Sequence, residues 1–146
     1  MDRFDRDILG LLATDGRLSY RELAERVHLS ANAVAERVRR LLKDGTIRSV
    51  RAVIDPAALD RTLEAQIDVK LRPDTSAADF EREIRHMPQL ISAMLLTGSY
   101  DYSLRVACTD RADLVDVTER LRNQAGALET YSRIILQEVR VAPWVG

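Results

Sequence analysis

Apolar residues recur at helical spacing through roughly the first third of the chain and at a period of two beyond it, so the secondary-structure type changes near residue 55. In residues 3–15, Phe4, Ile8, Leu11 and Leu12 follow the i, i+4, i+7, i+8 pattern, which turns one stripe of a first helix toward a core. Asp15-Gly16 ends it. Ser19-Tyr20-Arg21-Glu22 has the spacing of a capping box, in which the serine hydroxyl and the glutamate carboxylate satisfy free amides, and it opens a second helix to about Val27. After a short turn at His28-Leu29, Ser30 caps a third helix from Ala31 to about Lys43, stopped by Asp44-Gly45. The stretch Ile47 to Ile54 reads as a strand.

Pro56 cannot donate to a sheet ladder and biases its predecessor toward extended backbone, so 55–61 reads as a hinge. Leu63, Ala65, Ile67, Val69 and Leu71 then alternate strictly with polar residues, marking a half-buried strand. Ala77, Phe80, Ile84 and Met87 form a helical stripe from Thr75 or Ser76 to Met87. Strands are expected at Leu90–Thr97 and Tyr102–Thr109, joined by a Gly98-Ser99-Tyr100-Asp101 hairpin. A last helix carries Leu114, Val117, Leu121 and Ala125, and a last strand runs from about Glu129 to Val141. The predicted class is α+β: an N-terminal winged helix-turn-helix over 1–54, a linker over 55–61, and a C-terminal ferredoxin-like βαββαβ sandwich over 62–146.

Ala93-Met94-Leu95-Leu96 and Ile134-Ile135-Leu136 are apolar on both sides of their strands, although the helices of so small a sheet can cover only one face. Self-association through the open sheet face explains this economically, and it suits a helix-turn-helix protein that presents two copies to a pseudo-palindrome. Burial of these residues by local twist or by the linker is the alternative.

Three short helices with a tight joint before the third describe a helix-turn-helix. At 100° per residue, Val34, Val38, Leu41 and Leu42 share one side of helix three. Asn32, Ala33, Glu36, Arg39, Arg40 and Lys43 lie opposite, with Arg37 on the flank. Docking of such a helix brings its N-terminal residues to base edges, which points to Asn32, Ala33 and Glu36, with Ser30 at the cap. Asn can pair with adenine and Glu can accept from cytosine N4. Arg39, Arg40 and Lys43 are placed nearer phosphates, and Arg48 and Arg51 would form a basic wing. The bland alternative is a solvated charged face. Charge distribution supports the DNA reading. Residues 1–51 hold eleven Lys and Arg against eight Asp and Glu, whereas residues 52–146 hold eleven against fifteen, although the whole chain carries only −1.

Composition narrows the rest. With 146 residues, 46% hydrophobic and 31% charged, the chain is ordinary globular material for one domain or two small ones. It has no run of about 18 apolar residues and no signal-peptide pattern at its start, so a cytoplasmic location and no membrane partner are expected. One cysteine, Cys108, and two histidines far apart offer neither a disulfide nor a metal site, so no metal or cofactor is expected. Cys108 reads as a core residue, and Trp144 as packing against a neighbouring surface. No phosphate loop, Ser-His-Asp order or supported carboxylate pair appears, which argues against an enzyme.

The chain resembles the Lrp/AsnC, or feast/famine, transcriptional regulators over nearly its whole length. The matching pieces are Asp2 to Leu9, Asp15-Gly16-Arg17-Leu18-Ser19, Glu22-Leu23-Ala24, Leu29-Ser30, Val34, Arg37-Val38 with Leu41, and Gly45 with Ile47; then Thr97-Gly98 with Tyr100-Asp101-Tyr102, and Ile134-Ile135-Leu136. The resemblance implies that double-stranded DNA is bound, that the second domain forms a homodimer and in some members an octamer of four dimers, and that an amino-acid effector sits in clefts between dimers near the hairpin. It thereby points to Thr97, Gly98, Ser99, Tyr100 and Asp101, with Thr130 and Ser132 of the last strand in second rank. In this picture Gly98 lets backbone approach a ligand, and Asp101 receives an ammonium group. Two other functions remain open: an architectural protein that coats DNA, and a tetrapyrrole-modifying enzyme of the sirohaem decarboxylase type, which resembles the same family.

Overall fold

The computed structural model of the chain describes residues 1–139. They divide into two compact units, one over Met1–Val53 and the other over Ile54–Glu138. In the first, α1 (Arg3–Thr14), α2 (Tyr20–Val27) and α3 (Ala31–Lys43) enclose a core of Ile8, Leu23, Val27, Val34 and Val38. Each helix starts on a side-chain cap: Asp2 accepts from the Asp5 amide, Ser19 from Glu22 and Ser30 from Ala33. Between α2 and α3 only His28, Leu29 and Ser30 intervene, and His28 makes the reversal in left-handed backbone at φ 57°.

Two expectations for this unit change. Ile47 to Ile54 forms no strand, so the wing is an irregular segment in which Val50, Val53 and Ile54 are exposed. Among the described residues no strand runs beside it to take its ladder bonds. Leu42 is 42% exposed, and Ala35 occupies the buried side of α3 with Val34, Val38 and Leu41.

The second unit opens on a 3-10 turn, Pro56–Leu59, capped by Asp55, where a plain hinge was expected. It continues as β1 (Leu63–Leu71), α4 (Ala77–Ile84), β2 (Leu90–Leu95), β3 (Tyr102–Cys108), α5 (Arg111–Asn123) and β4 (Ala127–Ile134). The strands form one antiparallel sheet in the order β2-β3-β1-β4. This is the predicted βαββαβ topology. Ala65, Ile67 and Val69 pair with Val106, Leu104 and Tyr102, and all six are buried on the same face with Phe80, Ile84, Val117 and Leu121. β4 starts two residues earlier than expected and ends at Ile134, well before Val141; Val141 and Trp144 lie outside the described residues.

The open sheet face is not the uniformly apolar surface that self-association would favour. Its centre is polar and internally bonded: Gln66 Nε2 donates to Ser103 Oγ at 2.8 Å, and Ser103 Oγ to Asp68 Oδ1 at 2.8 Å. Arg133 pairs with Asp68, while Arg105 bridges Glu64 and Glu138. The exposed apolar residues sit on the two edge strands, with Met94 and Leu95 on β2 and Tyr131 and Ile134 on β4. Period-two patterning cannot show this, because it reports which residues share a face but not how far the covering helices reach.

Candidate DNA interface and effector site

The exposed stripe of α3 is narrow. Asn32, Glu36, Arg39 and Lys43 follow i, i+4, i+7, i+11, which keeps them within about 60° of one another around the helix. All four are exposed. Glu36 is ion-paired with Arg39, one turn on, so the acidic member of the stripe is partly neutralised. Ala33 is half-buried, and the Ser30 hydroxyl is committed to the Ala33 amide at 3.2 Å. Arg48 and Arg51 are exposed on the irregular segment after α3.

Arg37 and Arg40 face different work. Asp5 of α1 is 1% exposed, yet its carboxylate accepts Arg37 Nη1 at 2.8 Å and Arg40 Nη2 at 2.8 and 2.7 Å. Arg37 Nη1 also reaches Asp2 at 2.7 Å, and its guanidinium stands 5.5 Å from the centre of the Phe4 ring. Burial pushes the Asp5 pKa up, but the Arg37 hydrogen bond, the Asp2 amide and the Arg40 charge outweigh it and hold the group below its ordinary value. The same acids raise the Arg37 pKa. This network ties α1 to α3 and leaves Arg39 and Lys43 as the cations of the exposed stripe. Sequence reading did not assign Asp5 this function. The available signal was an acid at the edge of the apolar stripe of α1, about 20° around the helix from Leu12 and about 60° from Ile8, with a matching Asp2-x-x-Asp5 capping box.

In the second unit the β2–β3 connection exposes Thr97, Gly98 and Ser99, whereas Tyr100 and Asp101 are half-buried. Gly98 has φ 116°, a conformation that an L side chain rarely adopts, and a Cβ there would meet nothing within 4 Å. Asp101 is held through its amide, its carbonyl and one carboxylate oxygen. Its amide donates to Val69 O at 2.9 Å, its carbonyl accepts from Leu96 at 2.8 Å, and its Oδ2 accepts from the Leu71 amide at 2.7 Å. The carboxylate therefore bolts the hairpin to the end of β1.

Thr130 lies opposite Val69, in the row that also holds Tyr102, so it belongs to the same end of the sheet as the hairpin but two strands over from β3. Its hydroxyl accepts from Arg122 at 2.8 Å. Ser132 is exposed two rows further along, opposite Ile67. The hairpin and the β4 hydroxyls are thus not brought into one cavity within a single chain. Cys108 is fully buried, and that burial pushes its thiol up to about 11. No helix among the described residues is long and apolar enough to cross a membrane.

Comparison with known proteins matches this arrangement domain by domain. Residues 1–42 match the AsnC-type helix-turn-helix domain, and residues 64–145 match the Lrp/AsnC ligand binding domain. The chain belongs to the Lrp/AsnC family of transcriptional regulators. It is 40% identical over 114 residues to the Bkd operon transcriptional regulator of Pseudomonas aeruginosa, covering 77% of this chain and 74% of that one. It is 32% identical over 144 residues to the leucine-responsive regulatory protein of Salmonella typhimurium, with 96% and 87% covered. Among solved structures, a feast or famine regulatory protein of M. tuberculosis complexed with L-methionine superposes with a TM-score of 0.92 at 31% identity, covering 99% of each chain.

Proposed function

We propose that this regulator reads double-stranded DNA in the major groove through the exposed stripe of α3 and responds to an amino acid bound at the β2–β3 hairpin. The observation that carries the reading is the composition of that stripe. Asn32 and Glu36, which can address base edges, stand at its N-terminal end, and Arg39 and Lys43, which suit phosphates, stand at its C-terminal end. That order favours sequence-specific regulation over indiscriminate coating of DNA and over an enzyme. Arg48 and Arg51 extend the phosphate contacts, and two copies would enter successive grooves roughly 34 Å apart.

The effector is an amino acid, as in the L-methionine complex of the M. tuberculosis relative. Thr97, Gly98, Ser99 and Tyr100 offer backbone and hydroxyl groups to its polar end. Asp101 acts by holding the hairpin. A second copy completes the pocket, since one chain leaves the hairpin open. The effector works through unequal affinity for alternative assemblies of a cytoplasmic homo-oligomer.

Binding to promoter fragments, titrated with salt and repeated with each of the twenty amino acids, tests both halves. Arg39→Ala and Lys43→Ala are each expected to weaken binding to every sequence and to lower the salt slope by about 1. Asn32→Ala is expected to relax preference at one base position by about 1–3 kcal/mol. Unchanged slopes refute the docking, and indifference to all twenty amino acids refutes the effector class.

A further inference from the structure

A groove of about 510 Å3 runs between α1 and the end of α2, and it is cationic in a way the DNA reading does not use. Gly10, Leu11 and Val27 form its floor, while Arg3, Arg6 and Arg26 stand around it with Asp7 as the single acid. Arg3 and Asp7 approach to only 3.7 Å with side chains 90% and 48% exposed, so this pair holds the arginine weakly. Neither Arg6 nor Arg26 has a carboxylate within ion-pairing distance among the described residues. Glu22, one turn before Arg26, is engaged at the Ser19 cap. Three guanidinium groups therefore face one carboxylate.

The groove does not lie on the side that carries α3. At 100° per residue Arg3 is about 160° around α1 from Asp5, the residue that binds α3, and Gly10 is about 20° from Arg3. A glycine inside a helix costs about 1 kcal/mol relative to alanine, and here it leaves the middle of the floor without a side chain. An apolar floor with a surplus of cations on both walls is complementary to an amphipathic helix whose apolar residue is flanked by acids.

We propose that this groove docks an acidic amphipathic helix of a partner protein, which sets an apolar side chain over Gly10, Leu11 and Val27 and its carboxylates against Arg3 and Arg6 on one wall and Arg26 on the other. The contact leaves the α3 stripe free, so a partner can be held while DNA is bound.

The test uses the full-length protein and a fluorescent synthetic peptide of about four helical turns, with leucine at the a and d positions and glutamate beside them, and a second peptide with glutamine in place of glutamate. Anisotropy is expected to show saturable binding of the acidic peptide alone, weakening as salt rises. Arg6→Glu, Arg26→Glu and Gly10→Leu, all at surface or floor positions, are expected to lose about tenfold or more in peptide affinity. Arg17→Glu, off the groove, is expected to keep it. Circular dichroism confirms the folding of each variant, and promoter affinity at fixed salt is expected to stay within about threefold because the duplex is contacted elsewhere.

Three outcomes overturn the proposal. The first is that the acidic peptide fails to bind, or binds the charge-reversed variants equally well. The second is a parallel loss of promoter affinity, which assigns the groove to the duplex. The third is a loss of self-association in the reversed variants, which assigns it to a second copy.

Discussion

At the scale of single residues, Asp5 decides how the first unit is held together. A carboxylate that is 1% exposed and bonded to two guanidinium groups cannot be replaced by an amide without leaving buried donors short of charge. Asp5→Asn is expected to lower unfolding free energy by about 2–4 kcal/mol, toward the smaller end of buried-pair losses because Arg40 is half exposed. Chemical denaturation measures it, and a loss below about 0.5 kcal/mol contradicts the network. Acid should close the gap. The folded pKa of Asp5 lies below its ordinary 3.8, so its contribution is fully present above that value and is lost as pH falls through the folded pKa. The two proteins are therefore expected to differ in stability at neutral pH and to converge as pH falls through the folded pKa of Asp5. The contrast between Arg39 and Arg40 belongs to this scale as well. Both sit on the polar side of α3 by angle alone, and only the position of Asp5 on another helix separates a cation paired with an exposed neighbour on its own helix from one bound to a buried carboxylate of α1.

At the scale of elements, helix starts were legible because each depends on a cap within three residues: Ser19 with Glu22, Ser30 with Ala33, Ser76 with Asp79. Strand pairing was legible from alternation. The wing was not, since Ile47–Ile54 has the residues of a strand but, among the described residues, no neighbouring strand to bond with. The turn into β4 shows a constraint of the opposite kind. Gly126 has φ 83°, and a Cβ added there would stand 2.3 Å from Thr75 Oγ1 and 2.6 Å from its Cγ2. Gly126→Ala is expected to cost about 1–3 kcal/mol and to raise the unfolding rate, read from denaturant midpoints and stopped-flow traces. Gly98→Ala faces open space, so only the backbone cost applies there.

At the scale of the whole molecule, the second unit leaves apolar surface on both edges of its sheet and a bonded polar network across the centre of its open face. Exposed apolar strand edges call for a partner. Met94 and Leu96 are 51% and 46% exposed. Lysine at either position is expected to leave the unit folded and to shift the proposed homo-oligomer toward monomer, observed by sedimentation velocity at fixed protein concentration. An unchanged sedimentation profile for both variants removes β2 from the interface. On the proposed function, loss of assembly should also abolish the response to an amino acid, because the hairpin follows β2 directly and is open in one chain.

Local periodicity and capping were enough to specify three helices with a three-residue joint, the βαββαβ order and the polar side of α3, because each depends on residues within about two turns or one strand of one another. Which cations of α3 are tied to α1, what Asp101 does with its carboxylate and where the uncovered apolar surface lies were settled by folding alone. Those depend on contacts between residues some thirty positions apart, Asp5 with Arg37 and Leu71 with Asp101, and no spacing rule along one element can report them.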